Sequence, residues 1–105
     1  MEIHSIRKLL SHGRLAFKRH AAIRMRERRI SVVAVEEALS TGKIIEDYSA
    51  SDPLPCCLIL GHTVAGTPIH VVLAVDYEDE MLWAITVYVP SISEWEDNFT
   101  RRKTA

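Results

Sequence analysis

Three side chains that can carry positive charge, His20, Arg24 and Arg28, recur four apart in the segment KRHAAIRMRERRIS. On a helix that spacing stacks them in one band, because side chains at i and i+4 lie above one another. Ala21 and Met25 border the band and offer an apolar strip by which it can rest on a sheet. An imidazole and two guanidiniums in line suit phosphate, since guanidinium is planar, permanently charged and forked to match two phosphate oxygens. The same residues also fit a solvated face on which Glu27 pairs with Arg24, each such pair contributing about 0.3–0.5 kcal/mol. Periodicity alone leans to the solvated face and leaves both readings open.

A second group lies far along the chain. His70 sits inside the β-branched run IHVVLAV, and its ordinary pKa of about 6.5 would suit a general base or acid. The plainer reading is a hydrogen-bonded core histidine. Alternation along IHVVLAV and LWAITVYV, with Tyr77 to Met81 as the connecting loop, sets His70 across from Tyr88. The Tyr88 hydroxyl then lies at a core edge or serves a site. The tail WEDNFTRRK places Arg101, Arg102 and Lys103 after two aromatic anchors, Trp95 and Phe99. Such a tail is either a frayed terminus or the rest of a phosphate clamp.

Other chemistries find no support in the spacing. His4, His12, His20, His62 and His70 show no metal-ligand pattern, and adjacent Cys56 and Cys57 form no CxxC pair. Neighbouring strand residues point to opposite faces, so the two thiols are poorly placed to bridge each other and read as small hydrophobes in a reducing compartment. Neither GxxxxGK[ST] nor GxGxxG occurs. No metal and no cofactor are therefore expected.

The elements that must position these residues follow from periodicity and punctuation. A short helix is expected over Ile3 to Leu10, broken by SHGRL, and a second over about Lys18 to Arg29. Ser31 is a good N-cap for a third, with Gly42 as its stop. After Gly42 the pattern turns to strands: KIIEDY, Cys57 to His62, IHVVLAV and LWAITVYV, ended by Pro90. A short helix or turn is expected from Ser93. Helices first and a meander afterwards predict an α+β domain, with N-terminal helices packed on an antiparallel sheet of three to four strands.

At 105 residues the chain is expected to form one domain. Its net charge of −1 hides an asymmetry: residues 1–43 carry ten Lys/Arg against four Asp/Glu, and residues 44–105 carry three against ten. Folding the halves together should give a dipolar surface with separate basic and acidic regions. MEIHSIRKLL lacks the apolar core of a signal peptide, and MLWAITVYV is too short to span a bilayer, which predicts a cytoplasmic protein.

The set His20-Ala21, Arg24-Met25, Glu27-Arg28 and Ile30 is joined by Gly42-Lys43-Ile44-Ile45, His70-Val71-Val72, Tyr88-Val89-Pro90, Trp95 and Arg101-Arg102-Lys103. From Phe17 onward this pattern resembles a family of small bacterial domains of unknown function. Arg29 departs from it, since glycine is common there. Members are similar in layout to RelE/ParE-like toxins, and some look like partners of small zinc-finger antitoxins. The resemblance implies a single RelE/ParE-like domain over residues 1–105, the toxin of a toxin–antitoxin pair, cleaving RNA by metal-independent 2′-hydroxyl attack. Such a reaction needs a base, an acid and cations to stabilise the phosphorane. His70 or His20 would be base or acid, Arg24 and Arg28 the phosphate and transition-state ligands, and Tyr88 an orienting hydroxyl or proton donor. Arg101, Arg102 and Lys103 would assist RNA binding. The alternative is a non-catalytic protein-binding module or inactive toxin-like domain that docks an antitoxin or another protein.

Overall fold

Ser31 opens a helix as its sequence position predicts: its Oγ accepts a hydrogen bond from the Ala34 amide at 3.0 Å. In the computed structural model, which describes residues 1–104, this helix is the third of three. The helices are α1 (Ile3–Ser11), α2 (Arg19–Glu27) and α3 (Val32–Thr41). Their apolar stripes are short, as amphipathic surface helices require: Ile6 from α1, Ala21 and Met25 from α2, and Val35, Ala38 and Leu39 from α3 are buried.

The stripes meet one face of a five-stranded sheet built from β1 (Leu15–Phe17), β2 (Lys43–Tyr48), β3 (Cys56–His62), β4 (Pro68–Asp76) and β5 (Met81–Tyr88), in the order β1-β5-β4-β3-β2. The chain is thus α+β, but the expected three-to-four-stranded antiparallel sheet needs correction. β1 pairs parallel with β5, Leu15 opposite Leu82, which makes the sheet mixed. Three residues are too few to show a period, so this edge strand is silent in the sequence. Beneath the helices, Ile59, Val71 and Val87 lie side by side across three strands and are fully buried. α3 sits so close to β3 that a Cβ at Gly61 would overlap the backbone of Ala38. Only glycine permits that approach.

His70 pairs with Tyr88, as alternation predicts, but by a different route. The loop is one residue shorter than expected, because Met81 already pairs with Asp76. A bulge between the Val72–Thr86 and Leu73–Ala84 pairs then inserts Ile85 and restores the register. The bulge also puts Leu82, Ala84 and Val87 on the helix face together, which strict alternation forbids.

After Pro90 the chain folds back as a strap. Instead of the expected helix or turn alone, two short antiparallel strands form, β6 (Trp95–Glu96) and β7 (Arg101–Arg102). Asp97, Asn98 and Phe99 between them have φ of 52°, 56° and 67°. Three successive non-glycine residues in the left-handed region cost roughly 1–2 kcal/mol each, so the turn must be held by its contacts.

Arg29 resolves the departure noted in the sequence. Its φ is 56°, so it takes the left-handed position at the end of α2 that glycine would fill without strain. The amides of Ile30 and Arg29 donate to the carbonyls of Met25 and Arg26 at 2.9 and 3.2 Å, the two bonds of a Schellman motif. Burial of Ile30 and Met25 supplies its apolar contact.

Candidate functional site

His70 points to the sheet face away from the helices, where directly opposed residues Leu60, His70 and Tyr88 share one side. Its ring is fully buried. Nε2 lies 2.8 Å from the Phe99 carbonyl oxygen and Nδ1 3.1 Å from the Tyr88 hydroxyl. A carbonyl only accepts, so Nε2 carries the hydrogen and Nδ1 accepts from Tyr88. Trp95 closes the pocket edge-on, its ring centre 4.3 Å from that of His70.

Burial pushes the His70 pKa below its ordinary value, although the Phe99 carbonyl and the Glu46 charge pull the other way. Burial likewise raises the Tyr88 hydroxyl. Both shifts keep the proton on Tyr88 and the imidazole neutral. This placement reassigns His70: a ring with no exposed surface and both nitrogens engaged stands behind Tyr88, out of reach of a substrate. Its effect is to fix the hydroxyl in place.

Tyr88 faces an open cleft of about 610 Å³, walled also by Arg28, Val89, Glu94, Trp95 and Arg102. Arg28 arrives from the C-terminal end of α2. β1 stops at Phe17 opposite Ala84, so the outer edge of β5 is unpaired beyond that point. The Arg28 Nη1 satisfies it by donating to the Val87 carbonyl at 2.7 Å. A guanidinium has five N–H donors, and this bond uses one of them.

Arg102 enters from β7. Its Nε and one Nη donate to the two carboxylate oxygens of Glu46 at 2.8 and 3.1 Å, and its guanidinium lies 4.7 Å from the centre of the Trp95 ring. The Tyr48 hydroxyl donates to the same carboxylate. Burial opposes ionisation of Glu46, but the bonds from Arg102 and Tyr48 outweigh it and hold its pKa below the usual value. The Glu46 carboxylate in turn raises that of Arg102.

His20 and Arg24 line a smaller hollow of about 270 Å³ between α2 and the β5 edge at Ile85 to Val87. Arg28 borders both hollows and joins them. The Arg24 Nε points to Nε2 of His20 at 3.4 Å, and its Nη1 lies 3.5 Å from Glu27 in an exposed pair. The band read from the sequence therefore exists, with its solvated side in addition. The structure brings Arg28, Tyr88 and Arg102 together, with His20 and Arg24 adjoining them.

The other tail cations are placed elsewhere. Arg101 pairs with Glu96 and Asp97 at 3.2 and 2.8 Å and borders neither hollow. Lys103 lies beside Arg102 in a separate shallow hollow with Ser93 and Glu94. Glu46, Tyr48 and Glu94 were not singled out from sequence. In KIIEDY, alternation puts Ile44 and Glu46 on one face, so only the bulge in β2 could have revealed the carboxylate. Among the described residues, no group of three or more His, Cys, Asp or Glu side chains could hold a metal ion. No helix among them is long and apolar enough to cross a membrane.

Fold and site together define an α+β domain with helices on one sheet face, a C-terminal strap on the other, and arginines meeting at the open end of β5. Residues 17–89 match the family described as Domain of unknown function (DUF4258), and the chain belongs to that family. No curated protein and no solved structure matches it. The matched span contains His20, Arg24, Arg28, Glu46, His70 and Tyr88 and ends at Val89, so Trp95 and Arg101 to Lys103 lie beyond it.

Proposed function

We propose that this chain is a RelE/ParE-like toxin-type domain that cleaves RNA without a metal at the cleft holding Tyr88. The observation that carries the reading is the meeting of Arg28 and Arg102, from distant parts of the chain, with Tyr88 in the wall of one open cleft. Two guanidiniums flanking a proton donor suit a phosphorane, whose added negative charge needs fixed cations; a preorganised stabiliser of this kind is worth about 3 kcal/mol or more.

In this reaction His20 in the adjoining hollow takes the proton of the ribose 2′-hydroxyl. The 2′-oxygen attacks phosphorus, the bond from phosphorus to the 5′-oxygen breaks, and Tyr88 protonates the departing oxygen after its hydroxyl hydrogen turns away from His70. Products are a 2′,3′-cyclic phosphate and a 5′-hydroxyl. Arg28 and Arg102 hold the phosphate, Arg24 extends the binding track, and His70 keeps Tyr88 in position. The partner in the cell would be an antitoxin, of the zinc-finger type, that covers this cleft.

Incubating purified protein with RNA in EDTA tests the reading. Cleavage that falls at least a hundredfold in Arg28→Ala supports it; cleavage unchanged in that variant, or absent from the wild type, overturns it. A second reading, a non-catalytic docking module or inactive toxin-like domain, is favoured by one observation: the buried His70 supplies no imidazole to the cleft. That reading expects binding of the antitoxin with no RNA product.

A further inference from the structure

The bulge in β2 does something the core does not need. Ile44 pairs with Ile59 on the helix face, and strict alternation would bury Glu46 on that same face two residues later. The register shift between Ile44 and Glu46 turns the carboxylate over, opposite Leu58 and onto the face that carries His70 and Tyr88. There Glu46 is largely covered, with 19% of its side chain exposed, whereas Arg102 is 62% exposed. The carboxylate grips Nε and one Nη of Arg102, the Tyr48 hydroxyl donates to the same carboxylate beside that guanidinium, and the Trp95 ring centre lies 4.7 Å from the guanidinium. Bidentate pairing fixes the direction of a guanidinium as well as its distance. The other Nη makes no bond to Glu46, and Arg102 lines the cleft.

Anchoring the strap does not require this pair. The strap is already tied to the sheet by the His70–Phe99 bond and by burial of Trp95 against the His70 ring.

We propose that Glu46 is a positioning residue that aims Arg102 at a bound RNA phosphate. The inference rests on the reading of the cleft as an RNA site. It costs local charge, because a carboxylate stands beside a phosphate-binding arginine, and the compensation is a guanidinium that loses little freedom when phosphate arrives.

The test measures binding of a fluorescent single-stranded RNA 10-mer between 50 and 200 mM salt, for the wild type, Arg102→Ala, Glu46→Ala, Glu46→Gln and the double variant Glu46→Ala with Arg102→Ala, with thermal melts on each. Arg102→Ala should bind about tenfold more weakly, and its salt slope should fall by about 0.7, the value of one lost phosphate contact on a single strand. Glu46→Ala should lose the same slope although Arg102 keeps its charge, and the double variant should be no worse than either single one. Glu46→Gln, which keeps one acceptor in place, should fall between the wild type and Glu46→Ala. It also serves if Glu46→Ala does not fold. Unchanged or tighter binding by both folded Glu46 variants, with Arg102→Ala weakened, overturns the positioning role and leaves the RNA site standing. Unchanged binding by Arg102→Ala overturns the role of Arg102 in that site and the inference with it.

Discussion

His70 donates through Nε2 to the carbonyl of Phe99 at 2.8 Å, and so ties the centre of the sheet to the strained tip of the strap. The bond settles the tautomer and directs the other nitrogen to Tyr88. It also holds Phe99 at a φ of 67°. One imidazole thus couples three elements: β4, β5 and the strap.

That coupling makes stability sensitive to mild acid. Burial lowers the His70 pKa in the folded state, so the unfolded chain takes up this proton first as pH falls. The stabilisation is complete above about pH 6.5 and is lost as pH drops from there towards the lowered folded value. Glu46 and Asp47, whose pKa values are also lowered, lose their contributions only at more acid pH, below the ordinary carboxyl values of 4.5 and 3.8. Denaturant midpoints measured from pH 7.5 to 5.0 should hold level down to about pH 6.5 and fall below it in the wild type, and fall less in His70→Gln. Parallel curves for the two proteins would remove His70 as the cause.

Truncating the same ring should cost about 3 kcal/mol at pH 7, from the cavity, the two lost hydrogen bonds and the unpartnered Phe99 carbonyl. His70→Ala should also release the strap. Hydrogen exchange should then speed up at the Thr100 and Lys103 amides, which bond within the strap, while the Val35 amide in α3 stays protected. Uniform loss of protection would mean that the ring holds the whole fold and not the strap in particular.

At the end of α2, Arg29 occupies a position whose backbone favours glycine. Arg29→Gly should raise stability by about 0.5–1 kcal/mol, since relief of the left-handed strain exceeds the extra freedom of glycine in the unfolded chain. Arg29→Val should lower it, because a β-branched residue is disfavoured further at positive φ. Urea unfolding of the three proteins settles the order.

Much of this molecule is readable from residue order where a period runs long enough. The Ser31 cap and the β4–β5 hairpin follow from local rules, while the expected His70–Tyr88 pair is reached only because the shorter loop and the bulge offset each other. What escapes is what breaks a period. β1 is three residues long, the bulge at Ile85 moves Val87 onto the core face, and the bulge in β2 brings Glu46 to the site. The site was readable only by halves. Arg24 and Arg28 share a band by spacing, but nothing local says that Arg28 would cap the bare edge of β5. Whether His70 is open or closed depended on the strap, whose fold rests on contacts remote in sequence.

Close packing at Gly61 should be unforgiving. A methyl group there meets the Ala38 backbone, which no rotamer change can move aside. Gly61→Ala should lose about 3 kcal/mol or more, or shift α3 off the sheet, since overpacking against backbone has no cheap relief. A urea midpoint within error of the wild type would show that the helix floats more freely on β3 than the packing indicates.

Chemistry at Tyr88 can be separated from binding there. Tyr88→Phe removes only the hydroxyl, leaving the ring between Arg28 and Trp95 and the His70 Nδ1 without its donor. If Tyr88 supplies the proton to the departing 5′-oxygen, cleavage should fall by about 10²-fold or more while RNA affinity changes less than about twofold. RNA with 2′-O-methyl groups should bind and resist cleavage, because the attacking hydroxyl is blocked, and wild-type products should end in 2′,3′-cyclic phosphate. Arg28→Lys should lose both binding and rate, since an ammonium cannot bond Val87 and phosphate with the same planar fork. Full activity in Tyr88→Phe would move the proton donor elsewhere, and cleavage of the methylated strand would exclude attack by the 2′-oxygen altogether.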